Sequence, residues 1–140
     1  MTPPPAPTPS QLDAIIAEGV PLVSGWGATV LSAANGQATV RLPFRADLLR
    51  PGNTVSGPAI MGLADVAMWA ALLSLTGGRD ESVTSTMTVN FLRPVGPNPV
   101  IAEARVVKRG RRAVFGEVLI RAEGSDDIAT HITTTWTVIV

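Results

Sequence analysis

From Ala59 to Leu75 the chain reads AIMGLADVAMWAALLSL, a run with no proline, one glycine and one charge. Alanine and leucine favour helix, and Pro58 suits a first helical turn, where its missing N–H costs nothing. Gly77-Gly78 is a natural stop. A helix apolar on every side must be buried on every side, so the rest of the chain has to wrap it. A membrane span is the alternative. The run is marginal in length, carries a carboxylate in its middle and precedes segments that read as soluble sheet, so no membrane is expected.

The wrapping material is visible as strands. Trp26 to Ser32 and Ala38 to Leu42 flank Asn35-Gly36, a favoured hairpin turn, and a breaker-rich loop runs from Pro43 to Pro58. After the helix, Val83 to Phe91 alternates Thr84, Thr86, Thr88 and Asn90 against Ser85, Met87, Val89 and Phe91. Val100 to Lys108 sets Ala102, Ala104 and Val106 against Glu103 and Arg105. Ala113 to Ala122 carries Val114, Gly116, Val118 and Ile120 on one face. Ile128 to Val140 carries Ile128, Ile132, Trp136, Val138 and Val140 on one face, with His131 and Thr133 on the other. Period-two alternation over four runs predicts an antiparallel sheet with one buried face. Two strands, a long apolar helix and four more strands predict an α+β hotdog fold, a sheet wrapped around one central helix, an element count that several other α+β folds share.

Asp65 is the only ionisable side chain between Pro58 and Gly78. Burial of a carboxylate is costly unless its pKa rises or donors surround it, and Met61, Gly62, Met68 and Trp69, one turn away, supply no counter-charge. A carboxylate in apolar surroundings is a general base or nucleophile near neutral pH. A hydrogen-bonded carboxylate facing a cleft or interface without a chemical role is the competing reading.

The helix start, Val55-Ser56-Gly57-Pro58, offers a second feature. Its first N–H groups lack intrahelical acceptors and carry the positive end of the helix dipole, so they suit the oxygen of a polarised carbonyl. Pro58 has no N–H, which makes Gly57 the best donor, while Ser56 also fits an ordinary cap. Asp65 lies roughly 10–12 Å from Gly57 along the axis at the helical rise per residue. One helix cannot serve one carbonyl at both places. If both residues act, Gly57 of one subunit meets Asp65 of another, and a homodimer, alone or paired into a dimer of dimers, is the expected assembly.

Composition narrows the partners. Eleven basic and eleven acidic side chains cancel, so net charge favours neither nucleic acid nor an anionic membrane. There is no cysteine, which removes disulfides, thiolate metal sites and cysteine nucleophiles. One histidine cannot build a multi-histidine metal centre, so no metal is expected. The N-terminus has neither a basic nor an apolar signal region, and a cytoplasmic location is expected. Five prolines between Pro3 and Pro9 predict a disordered tail over residues 1–10, with one domain over 11–140. That domain should open on a short helix from Ser10, as cap, to Gly19.

Ser56-Gly57-Pro58 followed by Leu63-Ala64-Asp65-Val66-Ala67-Met68 resembles the PaaI-like (phenylacetate-degradation-type) hotdog acyl-CoA thioesterases. Asn90-Phe91-Leu92-Arg93-Pro94 and the basic turn Lys108-Arg109-Gly110-Arg111-Arg112 also fit, and the likeness runs from about Leu42 to the C-terminus. It implies hydrolysis of acyl-CoA without a cofactor, coenzyme A being part of the substrate. Asp65 would be base or nucleophile, and the Gly57 N–H would polarise the thioester carbonyl. Thr84 matches a family serine or threonine that helps place the attacking water. The family usually has His-Gly-Gly where this chain has Ser56-Gly57-Pro58. It often has asparagine six residues before that histidine, where Arg50 stands here, with Asn53 three before. A different substrate, a slower enzyme and a non-catalytic acyl-CoA binder all stay open, as does a purely structural module.

Arg93, Arg109, Arg111 and Arg112 are candidates for the phosphates of coenzyme A, since arginine forks match phosphate oxygens. Solvated surface charge explains them nearly as well. His131 has no serine elbow or cysteine beside it and reads as structural. Its isolation also argues against the hydratase branch of the fold, which needs a closely spaced Asp and His.

Overall fold

The computed structural model describes Thr2 and residues 4–140. Met1 and Pro3 of the expected tail lie outside the described residues. The chain runs α1 (Pro9–Gly19), α2 (Pro21–Ser24), β1 (Thr29–Ala34), β2 (Gln37–Leu42), a 3₁₀ turn (Ala46–Leu48), β3 (Leu49–Arg50) and β4 (Thr54–Val55). It continues with α3 (Gly57–Thr76), β5 (Ser82–Phe91), β6 (Val100–Arg109), β7 (Ala113–Ala122) and β8 (Thr130–Val138). Six strands form one sheet in the order β1-β2-β6-β7-β8-β5, with every pairing antiparallel. The sheet wraps α3, which gives the expected hotdog fold.

α3 is long and apolar enough to cross a membrane, but most of it is buried within the fold. Leu63, Ala64, Ala67, Met68, Ala70 and Ala71 are wholly buried, against Val40, Ala102, Val118, Ile120 and Ile132 of the sheet. Gly77 ends the helix in the left-handed conformation that glycine adopts without strain, as expected. The Asn35-Gly36 turn has positive φ at both residues. It is tied to the core where Ser74 Oγ accepts the Gly36 N–H at 2.9 Å.

Several local expectations are corrected. The cap of α1 is Thr8 rather than Ser10, because Thr8 and Gln11 form a reciprocal capping box that places Pro9 in the first turn. Residues 9 and 10 of the expected tail are therefore helical, and Pro4 and Pro7 lie beside Gly77 and Gly78 at the end of α3. The first strand is shifted to Thr29–Ala34, since α2 and a turn occupy residues 21–27. The Pro43–Pro58 loop holds the β3–β4 ribbon, turned by Gly52 and Asn53, both at positive φ. The last strand is Thr130–Val138, and Val140 is exposed.

The two edges of the sheet differ. β1 carries a bulge at Leu31, and Asp13 of α1 accepts its Val30 N–H at 2.8 Å, so this edge is blunted. β5 at the other edge is ten residues long, without a charge or a proline. Val83, Phe91 and the following Leu92 are exposed, as is Met61 of α3 beside it.

At Gly116 on β7 the Met68 side chain of α3 packs directly onto the strand. A Cβ there would overlap the end of Met68 and stand 3.0 Å from the Arg105 carbonyl oxygen. Because that carbonyl belongs to the β6 backbone, the strain cannot be relieved by a rotamer alone. Gly116→Ala should destabilise the protein by about 1–3 kcal/mol, read as a lower denaturation midpoint with an unchanged m-value.

Candidate active site

The residues of α3 that escape full burial before its last turn are Gly57, Pro58, Met61, Gly62 and Asp65. Their helical spacing makes one stripe, which begins at the helix start and ends at Asp65. Asp65 is half-buried, and Thr84 Oγ1 donates to its Oδ1 at 2.6 Å. No other hydrogen bond and no ion pair reaches it among the described residues. Burial pushes its pKa above the ordinary carboxylate value, and the Thr84 hydroxyl pulls it partly back.

Thr84 reaches Asp65 through a defect in its strand. Strict alternation puts Thr84 on the same face as Thr86. Instead, the β5–β8 register slips at Ser85, so Thr84 pairs with the inward Trp136 and Thr86 with the outward Thr135. The bulge turns Thr84 toward α3, a use bulges often serve beside functional sites.

At the helix start, Ser56 is an ordinary cap, its Oγ accepting the Ala59 N–H over 3.4 Å. The Ile60 N–H bonds the Ser56 carbonyl at 3.1 Å, and Pro58 has no N–H. Gly57 is left as the free main-chain donor of the first turn. It lines a cavity with Arg50, Ile60, Phe91, Leu92 and Arg93. Asp65 lines a different one, with Val20, Trp69, Asp80, Ser82, Thr84 and Trp136. Within one chain the two groups do not share a cavity.

The other candidates separate in the same way. Arg50 and Arg93 join Gly57. Among the described residues Arg50 donates only to the Pro51 carbonyl, whereas Arg93 pairs with Asp127 at 3.1 Å. Asn53 sits in the β3–β4 turn and lines neither cavity, and neither do Ser56 and Pro58. Arg109 and Arg111 flank a shallow depression with Glu81, which Arg109 approaches at 3.7 Å. Arg112 stands in the same turn. His131 lies on the outer face of the sheet, 2.8 Å from Glu117. Trp69, which the sequence offers either to an apolar pocket or to the core, lines the Asp65 cavity, and so do Asp80 and Trp136, which strand and helix patterns did not reveal. Among the described residues no cluster of three or more His, Cys, Asp or Glu suits a metal ion.

Fold and site together define a hotdog protein with a carboxylate on its central helix. The chain belongs to the thioesterase superfamily, whose family model matches residues 52–129, and a solved PaaI protein sets it beside the PaaI-like branch. A solved structure from Silicibacter sp., described as a candidate thioesterase, is 31% identical with a TM-score of 0.85, over 95% of this chain and 92% of that one. The phenylacetic acid degradation protein PaaI of Thermus thermophilus is 29% identical with a TM-score of 0.75, over 85% and 99%. A candidate esterase of Saccharolobus solfataricus is 28% identical over 64% of this chain and 63% of its own length. The chain thus spans under two thirds of that relative.

The raised pKa of Asp65 has a sign that stability can read. The folded state holds its proton more tightly than the unfolded state, so stability falls as pH rises from the ordinary value of 3.8 through the raised one. Asp65→Asn keeps an acceptor for Thr84 and removes that cost. Its melting temperature should exceed the wild type's at neutral pH, with the gap closing as the medium is acidified toward 3.8.

Proposed function

We propose that the chain hydrolyses acyl-CoA thioesters at a site shared by two copies. The observation that carries this is the split of the two catalytic groups. Asp65 and Gly57 stand about 12 Å apart on one helix and face separate cavities, whereas an acyl carbonyl needs both within about 3 Å. The bare β5 edge supports a way to unite them. If β5 pairs antiparallel with its own copy about a two-fold between Met87 and Thr88, Thr84 comes opposite the partner's Phe91. Thr84 holds Asp65, and the Phe91 ring lies over Gly57, 3.6 Å from where its Cβ would be. That one register brings each Asp65 toward the other chain's Gly57. The dimer could pair further through its remaining faces.

The reaction then uses a water, Asp65 and one main-chain donor. Asp65 takes a proton from water as the water oxygen bonds the acyl carbon, and the Gly57 N–H bonds the carbonyl oxygen as charge gathers there. The C–S bond breaks, Asp65 returns the proton to the thiolate, and a carboxylic acid and free coenzyme A leave. Direct attack by the Asp65 carboxylate gives a mixed anhydride that water then cleaves, using the same groups. No cofactor enters either route. The Arg50 and Arg93 side chains and the Arg109–Arg112 turn supply cations for the phosphates of coenzyme A. Such a substrate fits a cytoplasmic location.

A second reading, non-catalytic binding of acyl-CoA, is favoured by one observation. Ser56 stands where the family has histidine, and its hydroxyl is turned to its own helix.

Acyl-CoA turnover by the wild type separates the readings, and complementation then tests the shared site. Asp65→Asn should lower kcat by roughly 10³-fold, within the range for loss of a general base. Gly57→Pro, which deletes the N–H where proline suits the helix start, should cost roughly 10²–10³-fold. Mixed and refolded together, the two inactive proteins should recover about a quarter of wild-type activity, because half the dimers then hold one intact site of two. A site built within one chain would recover none.

Thr84→Val removes the donor that lowers the Asp65 pKa. The acid limb of its kcat/KM profile should move to higher pH than the wild type's, a shift that a purely structural threonine would not produce.

A further inference from the structure

The cavity beside Asp65 encloses about 300 Å³ and has an unusual composition for a site that receives an anionic thioester. Its walls are Val20, Val66, Trp69, Val83 and Trp136, with the end of α1 closed over them at Gly19, where a Cβ would stand 2.6 Å from the Trp69 ring. At its rim is a second carboxylate, Asp80. Asp80 is exposed and makes no hydrogen bond or ion pair among the described residues. Two cations near it turn to its neighbour instead: Arg79 pairs with Glu81 at 3.0 Å and Arg109 approaches Glu81 at 3.7 Å. Asp80 is four residues before Thr84, at most roughly 13 Å along an extended chain. The Gly57 cavity is opposite in character, with two arginines and no acid.

Resting on the thioesterase reading above, we propose that the Asp65 cavity takes the acyl group, and that Asp80 restricts it to acyl groups whose far end is uncharged. The two ends of an acyl-CoA differ in charge, and so do the two cavities. The polyanionic coenzyme A end is drawn to the Gly57 side, where Arg50 and Arg93 stand, and is repelled from the side holding both Asp65 and Asp80. An aliphatic or aryl acyl group finds the valine and tryptophan walls. One that ends in a carboxylate, such as the half-thioester of a dicarboxylic acid, brings its charge to Asp80 in a cavity whose lining holds no cation. Like charges built against a wrong ligand are a common source of specificity.

The test compares two esters of equal chain length, hexanoyl-CoA and adipoyl-CoA, in wild type, Asp80→Asn and Asp80→Lys. The ratio of their kcat/KM values is the readout, since any change in how coenzyme A itself is held cancels. The wild type should favour hexanoyl-CoA by roughly 10²-fold or more, the charge at Asp80 accounting for about tenfold of it. Asp80→Asn should narrow the ratio by that tenfold and Asp80→Lys should narrow it further. Added salt should narrow the wild-type ratio but not that of Asp80→Asn, because Asp80 is exposed and its field is screened.

The same ratio is read in binding, with the 2-oxoalkyl thioether analogues of both esters titrated calorimetrically against the three proteins. Turnover and binding fail separately. Absence of all turnover with the binding ratios intact overturns hydrolysis and leaves the role of Asp80 standing. Hexanoyl-CoA turnover with one ratio common to the three proteins overturns the role of Asp80 and leaves hydrolysis standing.

Discussion

Enclosure of α3 is the constraint from which the rest follows. A twenty-residue helix that is apolar around most of its circumference cannot lie on a surface, and a single flat sheet covers only one side of a helix. The chain answers with a six-stranded antiparallel sheet curled round it, closed at the remaining side by α1, α2 and Trp26. Small residues set how close that wrap can be. Gly116 lets Met68 rest on the strand backbone, and Gly62 gives way to the Trp26 ring, which would stand 2.9 Å from a Cβ there. What the wrap leaves uncovered is the stripe from Gly57 to Asp65. The candidate site is therefore the unfinished seam of the core.

That seam explains the chemistry available to Asp65. A fully buried carboxylate would stay protonated, and a fully exposed one would have an ordinary pKa and a shell of water. Half-burial beside Trp69 and Trp136 raises its pKa, while one hydroxyl donor limits the rise. The donor is present only because β5 carries an extra residue at Ser85. A strand of regular period would turn the Thr84 hydroxyl to the outer face and leave Asp65 with no partner. The same strand is the open edge of the sheet, so the element that tunes the carboxylate is also the one that offers itself to a second copy.

Much of this was legible in the sequence because the helix and most strands follow simple periods. Val114, Gly116, Val118 and Ile120 face inward in the structure as alternation requires, and Ala102 and Ala104 do the same on β6. Asp65 stood out as the lone charge in an apolar helix. Thr84 was found through a resemblance and placed on the wrong face, because a bulge adds one residue without altering composition. The β3–β4 ribbon escaped notice, since two-residue strands have no period to detect. The true cap of α1 did leave a signal, Thr8 with Gln11 three residues on, beside the equally capable Ser10. Asp80 could not be recognised from a pattern. It enters the site from a loop, and only the meeting of that loop with α1, α3 and β8 gives it neighbours.

The start of α3 shows how the exchange of His-Gly-Gly for Ser56-Gly57-Pro58 alters such a site. Proline deletes one main-chain donor, and Ser56 takes up the Ala59 N–H, so Gly57 alone remains to bond an oxygen. Positive potential there comes from the helix dipole and from Arg50 and Arg93, which line the same cavity, rather than from an imidazole. A single main-chain donor has no side-chain freedom with which to follow its acceptor. On the shared-site reading, the oxygen it holds is fixed relative to the axis of its own α3, while the attacking group is fixed to the α3 of the other chain. The distance between them is then set by the pairing of two β5 strands. A slip of two residues along that edge would move the carbonyl by roughly 6–7 Å and separate it from Asp65. The register of an uncharged edge strand, rather than any one catalytic side chain, thus becomes the feature on which catalysis most depends.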